Sequence, residues 1–459
     1  MSAVSAIAVF DRNQAEFLKD LETFLRFESI SAQSAHAADM QACAQWVSGQ
    51  LAAAGLDARV LPTARHPVVL ADTGPASPPD ALTLLFYGHY DVQPVGDLKL
   101  WKSPPFEPTI RDGAIYARGS ADDKGQLMTH LAAMRCWRQT GQPWPVRIKF
   151  IIEGEEEIGS PNLPDVLRKH ADELACDYVV LSDTAKHDDE TPALACATRG
   201  LVYKEITIEG PSHDLHSGQY GGAVANPANV LADIIASLKD DRGRVTIPGF
   251  YDDVRPLTEP EHTQLNEVGI TDADLLAATG SPAPAGEVGY TSAERCTARP
   301  TLDVNGLLAG YTGEGAATII PARAVAKVSM RLVADQDYQR ISQAFDQAVR
   351  SACPPTVRLS IANYSHCAPY LAPTDSPGMR AAAAALTASF GKAPVFTREG
   401  GTLPILPLFR QVLRADSIML GFAVPDCNLH SPNEFFHVRD FENGTRCILH
   451  FLDKICESR

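Results

Sequence analysis

Several histidines and carboxylates stand directly after short apolar runs, where a buried strand would end and a binding site could begin. In open α/β sheets, ligands bind just outside the carboxyl ends of the strands. Five elements are each followed by a side chain that can bind a metal ion: 82–87 by His89, 116–119 by Asp122, 146–152 by Glu157, 178–181 by Asp183 and 417–420 by His430. The pattern predicts that these five side chains meet at one site.

Two imidazoles and three carboxylates form a ligand set that suits a pair of divalent cations. Zinc binds histidine nitrogen and carboxylate oxygen, and one carboxylate can bridge two ions ~3.5–4 Å apart. Taken singly, each motif has an ordinary explanation: His89 and Asp91 as a solvated pair, 153–157 as a solvated acidic face, and Asp122-Asp123 as a helix cap. Four acids within five positions after a buried strand would nevertheless be costly without cations, so the joint pattern favours a metal site.

The composition excludes some classes of partner. Among 459 residues, 40 basic and 56 acidic side chains give a net charge of −16, which repels phosphate backbones and anionic lipid. We therefore expect neither nucleic acid nor membrane as a partner. The first residues carry no basic segment before their short apolar run, which argues against a signal peptide. Ten scattered cysteines without a C-x-x-C pair are typical of reduced thiols, so we expect a cytoplasmic protein.

The length predicts two domains, and the sequence pattern changes along the chain. Near-continuous apolar strands alternate with helices, which predicts an α/β domain whose sheet is covered on both faces. The predicted helices of this part are 12–29, 38–54, 124–138 and 162–173. Between 200 and 372, alternating strands and helices surround an irregular stretch at 241–300. We predict a discontinuous catalytic domain of residues 1–199 and 373–459, with a small α+β domain of residues 200–372 inserted into it.

At these residues the sequence resembles the M20 metallopeptidases, most closely the carnosinase-like, cytosolic non-specific dipeptidase branch. The resemblance implies an α/β fold: a zinc-peptidase-like catalytic domain with a central mixed sheet flanked by helices, plus an inserted α+β lid and dimerisation domain. The motifs that carry it are YGHYDVQP at 87–94, YARGSADDKG at 116–125, EGEEEIGS at 153–160, LSDT at 181–184, DLHSGQYGG at 214–222, REGGT at 398–402 and HSPNE at 430–434.

The resemblance also implies the ligands of two zinc ions per subunit, with Mn²⁺ or Co²⁺ as alternatives that suit oxygen-rich sites. Asp122 would bridge both ions. One ion would add His89 and Asp183, and the other Glu157 and His430.

Three further features of the metal region follow from the same resemblance. Asp91 would orient the ring of His89 and so fix its tautomer. Glu156 would act as the general base, taking a proton from a metal-bridging water and returning it to the leaving amine. The family pattern also implies a cis peptide bond after Asp122.

In the inserted domain, the resemblance assigns residues to the substrate and to a second subunit. His216 would reach the active site of the partner subunit in a homodimer and stabilise the tetrahedral oxyanion. Arg331 would clamp the C-terminal carboxylate of the substrate with its bidentate fork. Gly400, Gly401 and Thr402 would bring backbone N–H groups to the same carboxylate.

The function implied is hydrolysis of the amide bond of dipeptides that carry a free C-terminal carboxylate. One alternative is an N-acyl-amino-acid or carbamoyl amidohydrolase of the same clan, so the substrate would be a small peptide or an N-acyl amino acid. A catalytically inactive, zinc-binding dimeric module is the alternative from outside the enzymes. The presence of Glu156 argues against the inactive module.

Overall fold

The computed structural model describes residues 3–74 and 81–457. The chain divides into two compact units. The first unit consists of Met1–Cys196, Ala372–Thr397 and Leu408–Arg459, and the second of Ala197–Leu371 and Arg398–Pro407. Within the described residues, no helix is both long and apolar enough to cross a membrane.

The elements follow one another in three blocks along the chain. The first block contains α1 (Ala3–Leu25), α2 (Ala37–Ala53), β1 (Asp57–Leu61), β2 (Val68–Asp72), β3 (Thr83–His89), β4 (Thr109–Arg111), β5 (Ala114–Tyr116), α3 (Lys124–Gln139), β6 (Arg147–Glu153), α4 (Leu163–Lys169), α5 (Ala171–Leu174), β7 (Tyr178–Leu181) and β8 (Ala193–Thr198). The second contains β9 (Gly200–Glu209), β10 (Leu215–His216), α6 (Ser217–Tyr220), α7 (Pro227–Ser237), α8 (Glu259–Val268), α9 (Asp272–Thr279), α10 (Ser292–Thr297), β11 (Thr301–Ala309), β12 (Ile319–Ile320), β13 (Arg323–Leu332), α11 (Tyr338–Ala352), β14 (Arg358–Cys367) and β15 (Tyr370–Leu371). The third contains α12 (Pro377–Phe390), β16 (Val395–Glu399), α13 (Ile405–Leu413), β17 (Asp416–Gly421), β18 (Phe435–His437) and α14 (Val438–Glu457).

The main sheet of the first unit is mixed. Its strands run in the order β1-β2-β6-β3-β7-β17-β8. The neighbours β6, β3, β7 and β17 are parallel, whereas β1, β2 and β8 pair antiparallel at the flanks. Four adjacent parallel strands bring their carboxyl ends to one edge, which is where a ligand site is expected in such sheets.

Helices cover both faces of this sheet. Successive side chains of a strand point to opposite faces. In β3, the ring of Phe86 contacts His130 of α3, and the next ring, Tyr87, contacts Phe409 of α13. Burial on both faces explains why β3 is mostly apolar in sequence, whereas β6 has an apolar centre but also carries the buried Lys149.

A small sheet stands apart from the main one in the first unit. It has three antiparallel strands in the order β18-β5-β4, and Phe435 of β18 pairs with Tyr116 of β5. The loop that follows β5 and the loop that precedes β18 therefore start from neighbouring positions. Asp122 lies on the first of these loops and His430 on the second.

The second unit is built on an antiparallel sheet of four strands in the order β11-β13-β9-β14. Helices α7 and α11 pack against it, and a buried apolar cluster that includes Ile206, Phe345 and Met330 fills the space between them. Helix α7 begins with Pro227 in its first turn, and the Asn226 side chain caps it by accepting a hydrogen bond from Ala228 N.

The fold class predicted from the sequence, α/β with a central mixed sheet flanked by helices, is confirmed. Four details differ. Helix α1 runs over Ala3–Leu25, ahead of the predicted 12–29, and the predicted helix 162–173 is two short helices, α4 and α5. The stretch 241–300, predicted to be irregular, contains α8, α9 and α10, and strand β11 was not predicted.

Candidate active site

Three of the five predicted ligand residues follow neighbouring parallel strands of the main sheet. His89 is the last residue of β3, Asp183 lies two residues beyond β7, and Glu157 lies in a single 3-10 turn, Glu156–Ile158, beyond β6. Asp122 and His430 reach the same region from the loops beside the small sheet. Of the stretch 116–119 only Tyr116 lies in a strand, β5 of the small sheet, and Asp122 precedes α3 as the sequence predicted.

The five side chains form two groups that share one carboxylate. In the first group, His89 Nε2 lies 3.1 Å from Asp122 Oδ1 and 3.9 Å from Asp183 Oδ2. In the second group, His430 Nε2 lies 2.9 Å from Asp122 Oδ2 and 3.3 Å from Glu157 Oε2. Within each group the candidate ligand atoms lie within 4.8 Å of one another. Asp122 therefore presents a different oxygen to each histidine.

The donor set fits divalent cations. Each group offers one imidazole nitrogen and carboxylates from two residues, which is a ligand set that zinc accepts. Three carboxylates in such a region would repel one another without positive charge nearby.

The pKa values of the acidic residues describe this charge balance. Burial, followed by the charge of Asp122, raises the pKa of Asp183 well above its ordinary value. Burial also opposes ionisation of Asp122, but hydrogen bonds from His430 and His89 hold the pKa of Asp122 below its ordinary value. The hydrogen bond of His430 to Asp122, and next its hydrogen bond to Glu157, raise the pKa of His430 to about 10. In their protonated form the imidazoles would balance the charge of the carboxylates, and a bound cation would displace those protons.

Asp91 contacts its predicted partner, His89, and other parts of the site as well. Its Oδ1 lies 3.3 Å from His89 Nδ1, and both side chains are fully buried. The same carboxylate accepts hydrogen bonds from the backbone N–H groups of Glu156, at 3.2 Å, and Glu157, at 3.1 Å. Asp91 thus connects the end of β3 to the turn that carries Glu156 and Glu157.

Glu156 stands beside the ligand groups without belonging to either. Burial raises the pKa of Glu156 to about 7; His89 opposes the rise, while the charges of Asp122, Glu157 and Asp91 add to it. A carboxyl group with a pKa near neutrality can both accept and donate a proton under ordinary conditions.

The acidic run 153–157 is satisfied partly by hydrogen bonds, which corrects the expectation that all four acids need cations. Glu153 accepts hydrogen bonds from Tyr87 Oη at 2.9 Å and Ser160 Oγ at 2.8 Å. Glu155 accepts from the backbone N–H of His66 at 2.7 Å and from the side chain of Asn162. Glu153 and Glu155 thus hold the local backbone, and Glu157 alone of the run is in a ligand group.

Sequence reasoning missed two residues that hold the ligands. Gln93 donates a hydrogen bond from Nε2 to Glu157 Oε2 at 2.7 Å. Glu434 accepts a hydrogen bond from the backbone N–H of Asp122 at 3.1 Å. Gln93 lies in the motif YGHYDVQP and Glu434 in HSPNE, so the sequence motifs contain both residues but do not reveal their contacts.

The structure brings the predicted carboxylate-binding residues of the second unit together around Arg199. Arg331 Nη1 donates to Thr402 Oγ1 at 2.6 Å, and that hydroxyl donates to the backbone oxygen of Arg199 at 2.7 Å. The carbonyl of Gly400 accepts from Arg199 Nε at 2.8 Å, and that of Gly401 accepts from Arg199 N at 2.9 Å. Burial, followed by the charge of Arg331, lowers the pKa of Arg199.

His216 is exposed at the junction of β10 and α6 in the second unit. Its Nδ1 accepts a hydrogen bond from Gly218 N at 2.9 Å. The neutral imidazole must therefore carry its proton on Nε2, so Nε2 is a hydrogen-bond donor. In the first unit, the peptide bond between Asp122 and Asp123 is cis, as the resemblance implied.

Two ligand groups that share a carboxylate, at the carboxyl edge of a mixed α/β sheet, are typical of metal-dependent hydrolases. Residues 85–454 match the sequence profile of Peptidase family M20/M25/M40, and the chain belongs to this family.

The relatives of this chain agree with the family. Cys-Gly metallodipeptidase DUG1 of Saccharomyces cerevisiae is 30% identical, covering 100% of this chain and 99% of its own. Beta-Ala-His dipeptidase of Homo sapiens is 30% identical, covering 96% and 90%. A solved structure described as an M20 family metallo-carboxypeptidase from Sulfolobus solfataricus has a TM-score of 0.83 and 34% identity, covering 96% and 99%. The family predicted from the sequence is confirmed, and with it the assignment to the metallopeptidases, which are hydrolases.

Proposed function

We propose that this protein is a two-zinc dipeptidase that hydrolyses the amide bond of dipeptides with a free C-terminal carboxylate. The observation that carries the proposal is the position of Asp122, whose two oxygens face His89 Nε2 and His430 Nε2 at 3.1 and 2.9 Å. A carboxylate between two histidines, each with a further acid, is the arrangement that a pair of bridged cations requires.

The ligands in this proposal are His89 and Asp183 for one ion, Glu157 and His430 for the other, and Asp122 for both. When bound, the ions would polarise the substrate carbonyl and lower the pKa of water held between them. The buried Asp91 orients His89 through Nδ1, which leaves Nε2 as the metal-binding atom.

Glu156 is the general base in this proposal. Its backbone is fixed by the hydrogen bond from Glu156 N to Asp91 Oδ1, and its neighbour Glu157 is a ligand. Its carboxylate accepts a proton from the attacking water and then donates it to the departing amine nitrogen. A residue that both accepts and donates a proton needs a pKa near neutral pH, and the elevated pKa of Glu156 agrees with this requirement.

We assign the stabilisation of the oxyanion to His216 of the partner subunit in a homodimer. The hydrogen bond from Gly218 N to His216 Nδ1 supports this role, because it leaves the proton on Nε2 as a donor. The homodimer itself is supported by edge strand β11, which exposes Leu307 and Leu308 at 62% each together with Val304. An exposed apolar sheet edge is a common site of association.

The free carboxylate of the substrate would bind to Arg331, with Gly400, Gly401 and Thr402 as the adjacent backbone. Burial is the main cause of the lowered pKa of Arg199, and repulsion by the positive charge of Arg331 adds to it. A bound carboxylate would relieve that repulsion, and its planar shape matches the guanidinium fork.

The relatives favour dipeptides as the substrate class, since two of them are described as dipeptidases. The relative described as a metallo-carboxypeptidase favours a second candidate, removal of the C-terminal residue from longer peptides. Both candidates require a free carboxylate, so they share the metal site and the proposed clamp.

A panel of substrates separates these possibilities. We would assay zinc-loaded and chelator-treated protein on alanyl and β-alanyl dipeptides, a tripeptide, N-acetyl amino acids and a C-terminally amidated dipeptide. The proposal predicts zinc-dependent cleavage of the free dipeptides, with the amidated one spared. Faster cleavage of the tripeptide would favour a carboxypeptidase, and cleavage of N-acetyl amino acids alone would favour an acylase. No turnover of any substrate with Zn²⁺, Mn²⁺ or Co²⁺ would contradict an enzymatic function and leave a zinc-binding module.

A further inference from the structure

Glu434 has a carboxylate that is surrounded by donors from the loop of Asp122. Its side chain is 0% exposed. Its Oε1 accepts hydrogen bonds from the backbone N–H groups of Ala121 at 2.9 Å and Asp122 at 3.1 Å. Its Oε2 accepts from the backbone N–H of Gly119 at 3.0 Å and from Arg118 Nη1 at 2.6 Å. Four donors thus converge on one buried carboxylate.

This arrangement joins two loops that are distant in sequence. Glu434 follows His430 by four residues, and Asp122 lies 312 residues before Glu434. The pairing of β18 with β5 brings the loops together, and the backbone hydrogen bond from Ala117 N to Glu434 O adds to it. One loop carries the shared carboxylate of the ligand groups, and the other carries a histidine of the second group.

We propose that Glu434 is a positioning residue that holds the loop of Asp122 in register with the loop of His430 and thereby sets the affinity of both metal sites. The inference rests on the proposed function, because it assumes that the two ligand groups bind ions. Burying a carboxylate is costly unless donors compensate it, and here three of the four donors are backbone N–H groups of the loop that carries Asp122. Since Asp122 belongs to both groups, a shift of its backbone weakens the binding of both ions together.

Gln93 provides a contrast within the same site. It donates to Glu157 Oε2, the atom that lies 3.3 Å from His430 Nε2, and Glu157 belongs to one group alone. Removing the Gln93 side chain should therefore weaken the binding of one ion. Removing the carboxylate of Glu434 should weaken the binding of both ions, so a metal titration distinguishes the two variants.

Calorimetric titration of chelator-stripped protein with Zn²⁺ tests the proposal. In Glu434→Gln, an amide N–H₂ replaces one carboxylate oxygen and faces two donors, so part of the cluster must separate. We expect a fall of ~10–100-fold in the affinity of both ions, the range found for residues that orient metal ligands. Gln93→Ala should lower the affinity of one ion. Raising the zinc concentration should restore the turnover of Glu434→Gln.

Glu287→Gln is the matched control for a purely structural effect. Glu287 is also a buried glutamate paired with an arginine, accepting from Arg299 Nε at 2.8 Å and Nη2 at 2.9 Å, but it lies in the second unit. This variant should lose thermal stability without a change in the affinity of either ion. The melting temperature of each stripped protein, measured by circular dichroism, supplies the comparison.

Each outcome separates the positioning role from the proposed function. Wild-type affinity for both ions in Glu434→Gln, or a fall confined to one ion, overturns the positioning role while leaving two-zinc binding intact. Wild-type protein that takes up no zinc overturns both. If Glu434→Gln does not fold, Glu434→Asp would be titrated in its place. This variant keeps the negative charge, but its shorter side chain moves the carboxylate away from the four donors. Weaker binding of both ions then supports the role, and unchanged binding of both overturns it.

Discussion

The substitution Glu156→Gln removes the ability of this side chain to accept a proton while preserving its size. A positioned general base contributes ~10²–10⁴ in rate, which corresponds to ~3–5 kcal/mol of barrier. Glu156 is outside the two groups of candidate ligand atoms, and the nearby Asp91 continues to accept the Glu156 N–H group. We therefore expect kcat to fall ~10²–10⁴-fold while the variant still binds two zinc ions. Turnover of a saturating dipeptide and the zinc content would be measured on the same sample.

The pH profile gives a second measure of the same group. Without bound cations, burial raises the pKa of Glu156 to about 7, and the base is active only in its carboxylate form. Nearby cations favour that form, so the acidic limb of the kcat profile should lie below pH 7 in the zinc-loaded protein. In Glu156→Gln this limb should disappear. Glu173→Gln, at a surface glutamate paired with Arg59, should behave as the wild type. A Glu156→Gln protein with two zinc ions and kcat within threefold of the wild type would refute the assignment.

Three further substitutions test other parts of the molecule. His216→Ala should lower kcat ~10²–10³-fold through the loss of one oxyanion donor, and an unchanged rate would exclude that role. Arg331→Ala should raise KM for free dipeptides, because their carboxylate loses its partner; an unchanged KM would contradict the clamp. Asp440→Asn should cost ~3–5 kcal/mol of unfolding free energy in urea, because the buried Lys186 Nζ, 2.8 Å from that carboxylate, would lose this counterion and keep the neutral backbone oxygen of Asp189 as an acceptor. A loss under 1 kcal/mol would show that water or another group replaces the pair.

The sequence was sufficient to predict the parallel core of the first unit. The strands β3, β6 and β7 are buried on both faces, so each contains a run of apolar residues, interrupted in β6 by Lys149, and polar residues mark their ends. Strand β11 was missed because it is an edge strand with an irregular register near Val304 and many exposed positions, so it lacks a clean alternation.

The helices between 241 and 300 could have been found from their caps. Thr258, Thr271 and Thr291 each begin a capping box with an acid three residues later, and each precedes a helix. Helices α8 and α10 have few apolar residues, and α9 buries none of its own, so hydrophobic periodicity gave no signal. Local capping chemistry was the better guide in this exposed part of the second unit.

For the site, the types and order of the residues were enough to name the candidate ligands, but not the residues that hold them through hydrogen bonds. His89, Glu157 and Asp183 are read from the ends of main-sheet strands, a local feature of the sequence, whereas Asp122 and His430 lie on loops beside the small sheet. The contacts of Glu434 and Gln93 depend on loops that meet only in the folded chain, 312 residues apart in the case of Glu434 and Asp122. The hydrogen bonds of Glu153 and Glu155 likewise involve partners on other elements, and for that reason the acidic run was overinterpreted as a set of charges needing cations.

The most direct test of the two-zinc proposal is a titration of activity against bound metal. Chelator-stripped protein would receive Zn²⁺ in steps, with dipeptide hydrolysis and zinc bound per chain measured at each step. The shared carboxylate of Asp122 predicts no turnover in the stripped protein and a maximum at two zinc ions per chain. Full hydrolysis by stripped protein, or a maximum at one ion with no second ion bound, would contradict a two-metal mechanism.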